Sequence, residues 1–394
     1  MTSVKRWLLP DGVEDILPSE AHKLEFLRRE LLDLFESWGY ELVIPPLIEF
    51  LDSLLVGVSE DLDLHTFKVT DQVSGKMMGI RADVTLQAAR IDAHSLNREG
   101  QVRLCYADNV LHTRPRGIMT SRVPIRLGAE LYGHASTAAD VELICLMAQT
   151  LRSAGIPGAQ IVLGHVGIFK ALVSEAGLNA GAESHLFEAV QRKAYDEIDL
   201  LLDCKVQDTA LKQQFKELSR LSGDESILAR AQETFADASA AVTAELKELN
   251  DIVQGVNQRL GGLDLHFDLC ELRGYEYHTG IVFAAYINGY GRAVAKGGRY
   301  DQLGKAFGRA RPASGFDTDL KVLAQLSGKE LARPKGILAP DSDESLLAQK
   351  ISDLRSQGEK VVTLLGTEDV ANIDASDMHC DRRLIKRGAA WVVE

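Results

Sequence analysis

The sequence predicts an α+β fold, an antiparallel sheet flanked by helices, interrupted by a helical insertion and followed by a small C-terminal α/β unit. Three observations carry this. Strand-like runs bounded by turn residues recur in the first half and return near "LDLHFDLCELRGYEYHTGIVFAAYINGYGRAVAKGGRY". Between residues 180 and 255 glycine and strand formers thin out, and helical spacing dominates. After residue 325, "PKGILAP", "ESLLAQKISDLRSQG" and "KVVTLL" read as strand, helix and strand, a small βαβ unit. The boundaries drawn are 1–178 and 257–326 for the two parts of the core, 179–256 for the insertion and 327–394 for the C-terminal unit.

The elements follow in order. In "EAHKLEFLRRELLDLFESW" Leu24, Leu27, Leu31, Leu34, Phe35 and Trp38 recur at helical spacing, with Ser19 placed to cap the helix and Gly39 to stop it. "YELVIPP" reads as a strand whose prolines, Pro45 and Pro46, confine it to an edge or an interface. "HTFKVTDQVSGKMMGI" reads as a hairpin turning near Ser74-Gly75, and a helix starts close to Asp83 or Val84. "QVRLCYADNVLH" and "RVPIRLGAELYG" read as antiparallel strands around a basic loop, "TRPRGIMTS". A helix capped by Ser136 leads to the buried strand "AQIVLGHV". In the insertion Leu186, Val190, Ala194, Ile198 and Leu202 fall every fourth residue. Gly280–Tyr286 reads as a strand, "NGYG" as a tight turn and "RAVAKGG" as its partner.

Composition excludes several classes. The chain has 394 residues, 45% hydrophobic and 26% charged, as in ordinary soluble domains. It contains no apolar run of the roughly 18 residues that a membrane span needs. Five scattered cysteines without a C-x-x-C pair argue against a disulfide framework or a zinc site and fit a reducing cytoplasm. A net charge of −13 argues against a dedicated nucleic-acid binder. Nothing points to a metal or cofactor.

Four stretches, in order, resemble the signature motifs of the class II aminoacyl-tRNA synthetases of the histidyl type, over roughly residues 5–325. They are the helix 20–38 with "YELVIPPLIE", which in that family builds a dimer interface; "RLCYADNVLH…RVPIRLGAELYG"; "RGYEY" at 273–277; and "GGRYDQLGKAFGRARPASGFDTDLKVL" at 297–323. The resemblance implies a histidine site at Asp83 and Thr85 in "RADVT", Glu130 in "LGAE", Arg273 and Tyr277. Chemically, carboxylates suit an ammonium and a guanidinium suits a carboxylate. Arg126 and His278 stand where the family has a glutamine and a tyrosine. Structural alternatives exist for each: a Glu130–Arg273 ion pair, a helix cap for Asp83, core packing for Tyr277.

The same resemblance places two ATP-gripping arginines at positions that here read His112 and Val322. Each charge-assisted hydrogen bond is worth roughly 1.5–3 kcal/mol, and an arginine at a phosphoryl transition state about 10³–10⁵ in rate. Arg114, Arg116 and Arg122 in the nearby loop are the available substitutes. The C-terminal unit is too short for the family's anticodon-binding domain, and the basic "DRRLIKRG" reads as a solvated strand edge. Surviving amino-acid groups with missing adenylation arginines resemble the family of regulatory subunits of ATP phosphoribosyltransferase. That resemblance implies a chain without catalysis of its own, assembled with a short-form catalytic subunit as a hetero-octamer of four chains each. It also implies histidine as the feedback ligand. The competing expectations are a divergent histidyl-tRNA synthetase and a stand-alone amino-acid- or RNA-binding module.

Overall fold

A leucine stripe organises the start of the chain. In α1 (Pro18–Ser37) Leu24, Leu27, Leu31 and Phe35 are buried along one face. Each such side chain contributes roughly 1.5–3 kcal/mol on burial. The Phe35 ring meets Phe316 edge-on at 5.9 Å. The helix starts two residues earlier than expected. Pro18 occupies its first turn and Leu17 the cap position, so Ser19 lies inside it. Proline at that position lacks only an N–H that the helix would leave unpaired anyway.

The computed structural model describes residues 7–55, 60–115, 117, 120–272, 274–275, 277–331, 333–366 and 370–394. They form two units, Met1–Lys329 and Glu330–Glu394. After α1 come β1 (Glu41–Leu42), β2 (Ile48–Phe50), the short helices α2 (Leu51–Leu54) and α3 (Glu60–His65), then β3 (Phe67–Thr70) and β4 (Met77–Ile80). Next are α4 (Thr85–Arg90), β5 (Val102–Asn109), β6 (Ile125–Tyr132), α5 (Thr137–Ser153), β7 (Gln160–His165) and α6 (Val166–Ala176). The insertion holds α7 (Ala180–Gln191), α8 (Tyr195–Lys205), α9 (Thr209–Leu218), β8 (Ser222–Gly223), α10 (Ser226–Thr234) and α11 (Ala240–Arg259). The core resumes with β9 (Asp264–Asp268), β10 (Ile281–Ile287), β11 (Tyr290–Arg299), β12 (Ala313–Asp319) and α12 (Leu320–Leu326).

The main sheet runs β1-β5-β6-β12-β11-β10-β7-β9-β8. Its centre is antiparallel, as expected, but β1–β5 and β7–β9 pair in parallel, so the whole is mixed. β1 is an edge strand of two residues; the prolines that follow end it. β2, β4 and β3 make a separate antiparallel sheet. The insertion is not all helical, because β8 closes the far edge of the main sheet against β9. The four-residue period across 186–202 also spans a break: Lys193 sits at φ +53° between α7 and α8. Leu186, Val190, Ile198 and Leu202 are nevertheless all buried, because both helices turn the same stripe inward.

The second unit contains β13 (Gly336–Pro340), α13 (Ser345–Ser356), β14 (Val361–Leu364), β15 (Cys380–Arg387) and β16 (Ala390–Val393), in sheet order β14-β13-β15-β16. "DRRLIKRG" is therefore an interior strand, not an edge. Its cations are taken up inside the unit. Arg382 pairs with Glu359, Lys386 with Glu344 and Arg387 with Glu394. Arg383 donates to the carbonyls of Val370 and Ile373.

Among the described residues no helix is long and apolar enough to cross a membrane. All five cysteines are free and four are buried. Inside the first unit Asp140, fully buried on α5, accepts from Arg299 Nη2 at 2.5 Å and Ser314 Oγ at 2.6 Å. Removing one partner leaves a buried charge unpaired. Asp140→Ala is expected to cost about 3 kcal/mol, seen as a lower urea midpoint by circular dichroism.

Candidate functional site

Strand alternation builds the site. On β6, Leu127, Ala129 and Leu131 enter the main core, so Arg126, Gly128, Glu130 and Tyr132 share the other face. The register of the flanking strands then fixes the neighbours. Arg126 lies between Asp108 and Asp319, Gly128 between Tyr106 and Asp317, and Glu130 between Leu104 and Gly315. Two glycines make the space. A Cβ at Gly315 would overlap Glu130 Oε2, and one at Gly128 would overlap the Tyr106 hydroxyl.

Glu130 is the centre. It is 1% exposed. Oε1 accepts from the Tyr106 hydroxyl at 3.0 Å, and Oε2 accepts from the Tyr300 hydroxyl. Burial pushes its carboxyl up to about 8, against the hydrogen bonds of Tyr300, Tyr106 and Thr85 and with help from the Asp83 charge. At neutral pH the group is therefore mostly protonated. Tyr106 also lies 3.3 Å from Thr85 Oγ1. Thr85 opens α4, and its N–H donates to Asp83 Oδ1 at 2.9 Å. Asp83 thus does work at the helix start and also contributes charge at Glu130 and Arg126.

Tyr277 stacks on Tyr300 with centroids 5.2 Å apart and planes 15° from parallel. Its hydroxyl is held well above the usual tyrosine range by burial, then by Glu130, Asp83 and Asp317. His278 packs edge-on against Tyr277 at 4.7 Å. Tyr275 faces the insertion instead, stacked on Phe187 and donating to Glu183 at 2.5 Å. Arg273 lies outside the described residues.

Arg126 pairs with Asp317 at 3.4 Å. Burial would lower its pKa, but Asp317, Asp83 and Asp319 outweigh this and raise it, so the guanidinium stays charged. Its Nε has no hydrogen-bond partner among the described residues. Asp319 also caps α12 by accepting from the Lys321 N–H at 3.0 Å.

The two positions of the expected ATP arginines do other work. His112 is buried, and its Nε2 lies 3.0 Å from the Ala82 carbonyl, next to Asp83. Val322 packs on the main core from α12. Of the loop arginines, Arg122 donates to the carbonyls of His112 and Asp11, Arg114 is exposed, and Arg116 lies outside the described residues.

The structure thus gathers Thr85, Glu130 and Tyr277, with Asp83 and Arg126 coupled electrostatically and His278 beside them. Sequence reasoning does not find Tyr106, Tyr300, Asp317 or Asp319. Period-two spacing from Glu130 and Arg126 across β5 and β12 is the signal for Tyr106 and Asp317, but it becomes readable only with the register.

Fold and site together define the class. A family model described as histidyl-tRNA synthetase matches residues 12–323, so the first unit is a class II synthetase-like scaffold. A histidyl-tRNA synthetase from Nostoc sp. PCC 7120 shares this fold (TM-score 0.78, 18% identity, 96% of this chain and 91% of that one). A second model, "ATP phosphoribosyltransferase subunit HisZ C-terminal domain", matches residues 334–394. Proteins named ATP phosphoribosyltransferase regulatory subunit, from Pseudomonas fluorescens (strain Pf0-1) and Azotobacter vinelandii, are each 51% identical over all of this chain and 99% of their own length. A solved structure titled as an ATP phosphoribosyltransferase regulatory subunit/histidyl-tRNA synthetase from Bacillus halodurans C superposes with a TM-score of 0.82 at 26% identity. It covers 96% of this chain and 97% of that one. The chain belongs to the family of ATP phosphoribosyltransferase regulatory subunits.

Two outcomes follow from the site. Gly315→Ala is expected to displace Glu130, visible as altered near-ultraviolet dichroism of the surrounding tyrosines. For Glu130, the folded state holds a proton that the unfolded chain releases above the usual glutamate value of 4.5. Its contribution to stability therefore declines as pH rises from about 4.5 to about 8. Glu130→Gln is expected to flatten that part of the pH dependence of Tm.

Proposed function

We propose that this chain activates a short-form ATP phosphoribosyltransferase catalytic subunit and carries the L-histidine site through which the first step of histidine biosynthesis is feedback-inhibited, with no catalysis of its own. One observation carries the reading. The face around Glu130 keeps acids and phenols suited to a small amino acid, while the positions of the nucleotide-gripping arginines hold a buried histidine and a core valine. The names of the relatives support the partner.

Asp83 and Glu130 receive the amino and imidazole ends of the ligand, Arg273 clamps its carboxylate, and Thr85, Tyr277, Arg126 and His278 complete the surroundings. Arg126, paired with Asp317, does not oppose the ligand's ammonium as a free charge. Inhibition at a distance requires histidine to bind one arrangement of the complex more tightly than another, a coupling of about 1–3 kcal/mol.

The assembly is a hetero-octamer of four chains of each kind, with self-dimers formed through the first-motif region. Exposed Ile44, Leu47, Ile48, Phe50, Leu64 and Met77 support the self-dimer, since monomers rarely leave so much apolar surface in water. The net charge of −13 and the internally paired cations of β15 speak against RNA as partner.

Mixing the chain with a short-form catalytic subunit and following phosphoribosyl-ATP is the test. Activation that histidine reverses is expected, and Arg273→Ala is expected to abolish feedback while sparing most of the activation. Histidine-dependent exchange of pyrophosphate into ATP would overturn the reading in favour of a synthetase.

A further inference from the structure

A second cluster lies four strands along the sheet from β6. His165, the last residue of β7, is completely buried, and Glu245 and Glu248 reach it from one face of α11. His165 Nδ1 is 3.4 Å from Glu245 Oε2, and Nε2 is 3.7 Å from Glu248 Oε1. Neither ring nitrogen has a hydrogen-bond partner among the described residues. One ligand atom from each of the three residues falls within a 4.8 Å span.

This arrangement is unfavourable as it stands. A neutral imidazole has one donor and one acceptor nitrogen, yet both of its nitrogens here face carboxylate oxygens, which only accept. In a neutral ring the acceptor nitrogen then meets an anion. The two acids also repel. Burial, then Glu248, raise the Glu245 pKa against the pull of His165. Arg299 lowers the Glu248 pKa only as a secondary influence, after His165, and its guanidinium is committed to Asp140 and Asp301. A cation between the ring and the acids would relieve both problems.

We infer that His165, Glu245 and Glu248 form a binding site for a single divalent cation of the Zn²⁺ type, which joins the insertion helix α11 to the core strand β7. The donor set argues for the ion. One imidazole nitrogen with two carboxylate oxygens suits zinc at about 2.0–2.2 Å per ligand and leaves a position for water, whereas Mg²⁺ prefers oxygen ligands alone. Glu245 lies at Nδ1 and Glu248 at Nε2, so binding one ion at a single ring nitrogen requires one glutamate to swing across the ring edge. Each glutamate side chain is about one-third exposed (33% and 35%), which opens a path from solvent, while the ring closes the back. Gly167 makes room, because a Cβ there would overlap Glu245 Oε2. The cluster also lies beside the segment that carries Tyr277 and His278. The Val166 N–H donates to the Gly280 carbonyl at 3.1 Å, and Lys170 Nζ to the His278 carbonyl at 2.6 Å.

The test uses the full chain stripped with chelator, then dialysed against ZnCl₂ or MgCl₂ alone, with bound metal quantified. One Zn²⁺ per chain, not displaced by excess Mg²⁺, is expected, with Tm rising as zinc is added. Glu245→Gln and Glu248→Gln, both at half-buried positions that tolerate substitution, should each weaken binding by about tenfold or more. Co²⁺ absorption, if it shows a low-coordinate nitrogen–oxygen site in the wild type and not in the double variant, adds a signature a structural role would not give. Equal zinc binding by the wild type and the double variant would assign the metal to other surface groups and overturn the proposal. The absence of stoichiometric zinc would overturn it too, leaving His165 as a packing residue between two acids.

Discussion

The site depends on one carboxyl group kept out of water between two phenols. Burying an unpaired carboxylate is costly. Glu130 avoids that cost by taking hydrogen bonds from Tyr106 and Tyr300 and by staying mostly protonated. Three strands must cooperate for this. β6 supplies the acid, β5 one phenol, and β12 the glycine that leaves room. Tyr300 then serves as the platform on which Tyr277 stacks, so the segment after Gly274 is positioned from the same carboxyl.

Around that centre, charge is arranged in opposition to what a triphosphate requires. Asp317 pairs with Arg126, and Asp83 and Asp319 add negative charge around it. His112 is turned inward to the Ala82 carbonyl, which steadies the backbone beside Asp83, and Val322 is half-buried and packs against the core. At these two positions, where the resemblance implies phosphate-gripping arginines, the chain holds a buried histidine and a half-buried valine on α12. In a low-dielectric site a net excess of carboxylates favours a small cationic group over a polyanion.

Much of this was legible in the chain. Helical spacing found α1, α5 and the insertion helices, and turn residues found the hairpins, because both follow from local periodicity. The βαβ start of the second unit was legible for the same reason. Non-local features were not. The strand at "DRRLIKRG" reads as an edge until β16 covers it, and β8 joins the sheet only because β9 lies beside it. The break at Lys193 is invisible to a four-residue period, since the two helices keep the same buried stripe. In the site, Asp83, Thr85, Glu130 and Tyr277 stand in short recognisable motifs, whereas Asp317 and Asp319 stand in a motif that has lost its family form.

The sequence by itself determined most of the helices and strands, the order of the four motif stretches, and the absence of arginine at positions 112 and 322, because these are properties of local spacing and residue identity. Only the tertiary structure decided that Tyr106 and Tyr300 converge on Glu130, that Arg126 is neutralised by Asp317, and that His165 meets two glutamates from a distant helix. Those pairings arise from strand register and from packing between segments far apart in the chain, which no local pattern encodes.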